Sequence, residues 1–270
     1  MSELPALSQE LLAVARLASA LIMQGYRKRP EAAKKEPRDL VTEFDLRSQE
    51  LIVSELGRRL PGVAIVAEEG TAPGEPVTGT ALIVDPIDGT TNFAHGHPFF
   101  AVSIGLFRDG LPSAGAVVAP AIGIEWAGHY DGCRGSLMRN GEPAAVSATT
   151  RFDEALIATG FPPNREHAPE NNFDSFQRVK RTARAVRRCG SAAIDICFVA
   201  DGTYDGYWER RLHIWDIAAG AAFVFAGGGR ISSLDGGPPR YERGHLIATN
   251  GHIHQELVKQ VGSEPSQPNS

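Results

Sequence analysis

Apolar residues at Leu11, Leu12, Val14, Ala15, Leu17, Ala18, Leu21 and Ile22 return every three to four positions, which predicts a long helix over residues 7–25 with one buried face. The charged run Lys34-Lys35-Glu36-Pro37-Arg38 breaks that pattern. A second helix is expected over residues 43–60, capped by Asp39 or Thr42 and ended by Pro61-Gly62. Residues 63–67 and 81–84 are short continuous apolar runs and read as buried strands. Each runs directly into acid, Glu68-Glu69 after the first and Asp85 after the second. From residue 99 to 130, strand-like stretches are separated by Asp109-Gly110, and a further turn stands at Asn140-Gly141, the pattern of an antiparallel meander.

Beyond a boundary placed near Ala148 the texture changes. Residues 161–172 are polar and rich in proline, as in a mobile surface loop. A helix at 173–182, a strand at 185–188 and helices at 191–200 and 216–226 follow. The triplet Gly227-Gly228-Gly229 comes where a helix ends, so it reads as a terminator and not as a nucleotide loop. The expected organisation is a portion 1–148, a portion 149–262 and a disordered tail 263–270.

Composition narrows the class. A chain of 270 residues with 42% hydrophobic and 22% charged residues is a folded globular protein, long enough to bury a site. The formal net charge is −5 and the basic residues are dispersed apart from Arg178 to Arg188, which leaves no footprint for nucleic acid or an anionic membrane. No apolar run reads as long enough to span a bilayer, and Cys133, Cys189 and Cys197 have no paired spacing. A cytoplasmic protein with reduced, buried thiols is expected.

The chemistry concentrates in Asp85-Pro86-Ile87-Asp88-Gly89-Thr90-Thr91-Asn92-Phe93 at the end of an apolar strand. A lone Asp-Pro or Asp-Gly is ordinarily a turn. Here two carboxylates stand three residues apart, and a turn at this point directs both, with an intervening carbonyl, to one spot, while Gly89 admits a ligand close to the backbone. Oxygen donors of this kind suit a hard cation, and crowded carboxylates stay ionised only if a cation offsets their repulsion. If Gly89-Thr90-Thr91 opens a helix, its free N–H groups face the same place and suit phosphate.

These residues resemble the inositol monophosphatase family, whose central motif is matched over all nine positions. Asp39-Leu40-Val41-Thr42 with Asp45, Glu68-Glu69-Gly70, Gly190-Ser191-Ala192-Ala193, Asp205-Gly206-Tyr207-Trp208-Glu209 and Trp215-Asp216-Ile217-Ala218-Ala219-Gly220 follow in the family's order. The resemblance covers roughly residues 10 to 255. It implies a layered α/β sandwich, an antiparallel sheet in the N-terminal portion and a mixed sheet in the C-terminal one. It also implies a homodimer, two or three Mg²⁺ ions and sensitivity to lithium. Glu68, Asp85 and the Ile87 carbonyl would hold one ion; Asp85, Asp88 and Asp216 a second; Glu68 would touch a weaker third. Thr90, hydrogen-bonded to Asp45, would orient the attacking water, the N–H groups of Gly89 and Thr90 would cradle phosphate, and Glu209 and Ala192 would contact the substrate. Lys34 or Lys35 matches a basic position of the family.

The activity so implied is hydrolysis of myo-inositol 1-phosphate or a related monoester. Fructose-1,6-bisphosphatase, histidinol-phosphate phosphatase and 3',5'-nucleoside bisphosphate phosphatase activities are alternatives within the same superfamily, and Thr91-Asn92 after Gly89-Thr90 favours the inositol-phosphate reading over them. A regulatory protein-binding factor is the alternative of another class, and the intact carboxylate set argues against it. Trp208 and Trp215 read as core aromatics, His95 and His97 as loop residues, and His213 as either a neighbour of the site or a surface group. Residues 132–139 and the loop 161–172 depart from the family pattern, and the loop bears on substrate identity.

Overall fold

The computed structural model describes residues 3–36, 39–71, 77–163, 165–166 and 171–262. Helix α1 (Glu3–Ile22) buries Leu11, Val14, Ala15, Ala18 and Ile22 completely. By length and composition it is the one described helix apolar enough to cross a bilayer, which corrects the expectation that no run was long enough. Those side chains belong to a core cluster with the strands of a sheet. The hairpin β1 (Ala32–Glu36) and β2 (Asp39–Thr42) leads into α2 (Glu43–Arg59). Thr42 is the cap: its Oγ1 accepts from Phe44 N at 3.2 Å, and its own N–H donates to Asp45 Oδ2 at 2.7 Å. Asp39, the other candidate, lies in β2.

Strands β3 (Ala64–Ala67), β4 (Thr80–Asp88), β5 (Ala101–Arg108), β6 (Leu111–Ala119), β7 (Ile124–Tyr130), β8 (Gly135–Arg139) and β9 (Glu142–Pro143) form a seven-stranded sheet in that order. β3 runs parallel to β4 and the later neighbours are antiparallel, so the meander is as expected. A short helix, α3 (Thr90–His95), separates β4 from β5. The rest comprises β10 (Leu156–Thr159), α4 (Phe173–Thr182), β11 (Ala185–Arg187), α5 (Ala192–Ala200), β12 (Gly206–Glu209), α6 (Ile214–Ala226), β13 (Arg230–Ser232), β14 (Leu246–Thr249) and α7 (His254–Gly262). Its sheet is mixed and ordered β11-β10-β12-β14-β13.

The layers alternate: α1 and α2, the larger sheet, α5 and α6, the smaller sheet, then α4 and α7. β4 shows why its sequence is an unbroken apolar run. Leu82 and Val84 lie in the core cluster on the side of α2, and Ala81 and Ile83 pack with Trp215 and Ala218 of α6, so both faces of the strand are buried. Two glycines set how close α6 comes. A Cβ on Gly105 would lie 2.6 Å from Ala218 Cβ, and one on Gly115 would lie 2.8 Å from Ala219 Cβ. The helix therefore rests on the backbone of β5 and β6, which holds its N-terminal turn beside the end of β4.

Three further expectations need correction. α6 begins at Ile214 and not at Asp216, so Asp216 sits inside its first turn, where its carboxylate accepts the cap N–H. Cys133 is exposed and Cys189 half-buried, so the reading of buried thiols holds for Cys197 alone. The strand that carries the central motif continues through Asp88, with a register shift against β5 between Asp85 and Asp88, and does not turn at Asp85. Residues 164 and 167–170 of the loop and the tail 263–270 lie outside the described residues.

Candidate active site

β4 delivers Asp85 and Asp88, both buried, and α6 delivers Asp216. One oxygen from each lies within 4.8 Å of the others. Each carboxylate is held from outside the cluster. Asp85 Oδ1 accepts from Ile87 N at 3.0 Å, and Asp216 Oδ2 accepts from His213 N at 2.7 Å. Asp88 Oδ2 accepts from Ser191 Oγ and from Ala193 N at 2.7 Å, at the opening turn of α5. Glu68, in the turn after β3, borders the same cavity, and its N–H donates to Val84 O at 3.1 Å.

Electrostatics explains what such a cluster needs. Burial, then the charges of Glu68, Asp88 and Asp216, push the Asp85 carboxyl well above the usual carboxylate range. Burial and the Asp88 charge do the same to Asp216. Asp88 is pushed to about 6 by burial, against the pull of the Ser191 hydroxyl and the N–H groups of Ala193 and Ala192. Three carboxylates around one point, with Glu68 on the same cavity wall and acting on Asp85, are hard oxygen donors and fit a divalent cation that would offset their repulsion.

Thr90 opens α3 next to this cluster. Its hydroxyl lies 2.8 Å from Asp45 Oδ1 and 3.0 Å from Ile87 O. Asp45 is fully buried and its second oxygen is fixed by Thr42, so the capping box of α2 also sets the Thr90 side chain. Gly89 has φ +89°, and a Cβ there would lie 2.9 Å from Phe99 O and 3.1 Å from Gly190 O. Only glycine fits that conformation and that gap.

A cavity of about 1070 Å³ joins Glu68, Asp85, Ile87, Asp88, Gly89, Thr90, Ala192, Glu209 and Asp216; Asp45 stands behind Thr90 and does not border it. Glu209 accepts from the Tyr207 hydroxyl, and a side chain on Gly160 would collide with its carboxylate. Burial pushes the Glu209 carboxyl up to about 7, against the pull of the Tyr207 hydroxyl. Trp208 is fully buried, with Nε1 donating to Asn172 Oδ1 at 2.6 Å. Trp215 packs against Ala81 and Ile83 while also touching the cavity. His213 is exposed, borders the cavity and stacks on Trp215 at 4.8 Å. His95 and His97 are exposed, and Lys34 is exposed on β1 away from the described cavity lining; the Lys35 side chain is outside the described residues.

Sequence reasoning missed three parts. Asn92 Nδ2 donates to Phe99 O at 2.6 Å and Cys189 O at 2.9 Å, tying α3 to the segment before α5. Asp195 is 1% exposed, borders the cavity and leaves Oδ1 without a hydrogen bond. A single aspartate within the otherwise apolar Ala192–Ala200 helix was the available signal. Arg188, assigned to a strand edge, also borders the cavity.

The match to the inositol monophosphatase family model spans residues 6–266. The chain belongs to the inositol monophosphatase family. This phosphatase, a phosphoric monoester hydrolase, is 39% identical over 236 residues to an inositol-1-monophosphatase of Synechocystis, covering 84% of this chain and 78% of that one. It is 35% identical to the Nus factor SuhB of Pseudomonas aeruginosa, covering 84% of each. The solved inositol monophosphatase of Anabaena (Nostoc) sp. PCC 7120 superposes with a TM-score of 0.87 at 33% identity, over 98% of this chain and 99% of that one.

Proposed function

We propose that this phosphatase hydrolyses a small phosphorylated polyol, first of all myo-inositol 1-phosphate, with two or three Mg²⁺ ions. The observation that carries the reading is the meeting of the Asp85, Asp88 and Asp216 oxygens within 4.8 Å in a cavity that also holds Thr90 and Glu209. Glu68, Asp85 and the Ile87 carbonyl would hold one ion, and Asp85, Asp88 and Asp216 another, with Glu68 reaching a third. Bound there, magnesium supplies Lewis acidity, neutralising phosphate oxygens and lowering the pKa of water. The backbone N–H groups of Gly89 and Thr90 receive the phosphate. Thr90, fixed by Asp45, orients the attacking water; a threonine hydroxyl is a poor base, so it positions and does not deprotonate. Glu209 takes a substrate hydroxyl, and Ala192, which lines the same cavity, contributes a backbone contact.

The test is phosphate release from inositol 1-phosphate, fructose 1,6-bisphosphate, histidinol phosphate and adenosine 3',5'-bisphosphate, with and without magnesium and with lithium as competitor. Selective magnesium-dependent release from the first supports the reading, and preference for another ester moves the substrate. Normal turnover in Asp85→Asn would remove the proposed ligand set. The homodimer and the cytoplasmic setting belong to the same proposal and are checked by sedimentation and cell fractionation.

Similarity to a protein named Nus factor SuhB supports a second reading, a protein-binding role beside catalysis. An Asp88→Asn chain that loses turnover and still captures the partners of the wild type would support it; capture by neither would count against it.

A further inference from the structure

Two cavities share one short segment of the chain. Glu209, Arg211, Leu212 and His213 border the active site, whereas Arg210 borders a separate cavity of about 280 Å³. Arg240, Arg243, His245, Ser233 and Asp235 stand around the second cavity with it. Three arginines face one aspartate there, in a chain whose formal net charge is −5. Asp235 Oδ1 accepts from Gly237 N at 2.9 Å, and the Ser233 hydroxyl donates to Pro238 O at 2.6 Å. Arg240 and Arg243 are exposed and make no ion pair with a described carboxylate.

The turn that carries these arginines is tied to its surroundings. Arg240 stands at the N-cap of the 3₁₀ turn Tyr241–Arg243, and Arg243 is its last residue. The Tyr241 ring packs edge-on to Phe107 with centroids 5.3 Å apart. Gly244, with φ +64°, accepts from Leu212 N at 2.9 Å, and a side chain on it would collide with the Leu212 carbonyl. The clasp between Gly244 and Leu212 therefore fastens the basic turn to the active-site wall, one residue before His213, whose N–H holds Asp216.

We propose that this basic cavity binds the phosphate group of a small molecule, outside the active site and coupled to it through residues 209–213. Guanidinium groups recognise phosphate by paired hydrogen bonds, and the cavity is large enough for a phosphate with a few attached carbons. An anion drawn to the Arg240–Arg243 pair, beside Arg210 whose Nη2 donates to Val261 O at 3.3 Å, bears on the shared segment that runs from Glu209 to the Leu212 clasp. By linkage, an anion here and a substrate in the active site alter each other's affinity by the same factor.

The test uses the full chain, labelled with ¹⁵N, free of magnesium and at constant ionic strength. It is titrated with inorganic phosphate and, separately, with a hydroxyalkyl phosphonate that cannot be hydrolysed. Saturable shifts in the amides of residues 233–245 are expected. They should persist in Asp88→Asn and weaken at least tenfold in Arg240→Gln/Arg243→Gln, which keeps its turnover without added anion; Arg240→Gln alone serves if the double variant does not fold. Tighter binding of the phosphonate points to a phosphorylated metabolite, and equal binding to free phosphate. The site is overturned if shifts are confined to residues such as Gly89 and Thr90, or if those at 233–245 are unchanged in the variant. In the magnesium-loaded enzyme the phosphonate should change KM for substrate in wild type and not in the variant; an unchanged KM in wild type would overturn the coupling.

Discussion

Ser191→Ala tests how the acidic cluster is held together. The Ser191 hydroxyl accepts from Ile194 N at 3.3 Å as the cap of α5 and donates to Asp88 Oδ2, both inside the protein. Losing the cap costs about 1 kcal/mol. Losing a hydrogen bond to a buried carboxylate costs about 2 kcal/mol more. A total of about 3 kcal/mol lowers Tm by roughly 6–12 °C in a chain of this size. The deficit depends on pH in a definite direction. The folded-state pKa of Asp88 is raised to about 6, so its ionisation destabilises the fold as pH climbs from about 4, the ordinary value, to 6. At pH 5 the carboxyl is largely protonated with or without Ser191, and only the neutral part of the bond is lost. At pH 8 the alanine variant leaves an ion without its donor, and the gap widens. Thermal unfolding of chelator-treated protein followed by circular dichroism at both pH values measures this, with Ser191→Thr as the variant that keeps the hydroxyl. Equal deficits at pH 5 and pH 8, or none at either, would refute the assignment.

Asp216→Asn replaces a carboxyl whose ionisation is opposed by burial and by the Asp88 charge, so the magnesium-free protein should melt higher than wild type while magnesium-dependent phosphate release is lost; a lower Tm would contradict the cost of ionising Asp216. Gly105→Val puts a side chain into the contact with Ala218 and should cost about 3 kcal/mol or abolish soluble expression, as read by urea unfolding. His254 is buried, with Nδ1 2.9 Å from Thr249 Oγ1 and Nε2 2.9 Å from Ser232 Oγ, and burial lowers its pKa to about 4. Its contribution is complete above the unfolded value near 6.5 and disappears as pH falls toward 4, a loss of about 3 kcal/mol. His254→Asn should flatten that part of the stability profile, and an unchanged slope would contradict the burial argument.

Periodicity was enough to find α1, α2 and the meander, because each depends on which side chains can share one face of a regular backbone. The run Asp85 to Phe93 announced its chemistry because two carboxylates, a carbonyl and a glycine lie within nine residues, and short spacing limits where they can point. Ser191 and Asn92 stood in matched segments, yet their hydrogen-bonding roles, like that of Asp195, stayed silent for the opposite reason. Serine and asparagine are common in loops, and nothing local distinguishes a hydroxyl that caps a helix from one that also holds a carboxylate 103 residues away in sequence. The raised pKa of Glu209 likewise belongs to no motif, since it arises from burial beside Tyr207 and opposite Gly160. The sequence by itself determined the long helices, the meander and the family, because these depend on spacing within short stretches of chain. The tertiary structure alone decided that β4 and the first turn of α6 meet, because Gly105 and Gly115 let the helix lie on the sheet; that approach brings the Asp216 oxygen within 4.8 Å of those of Asp85 and Asp88.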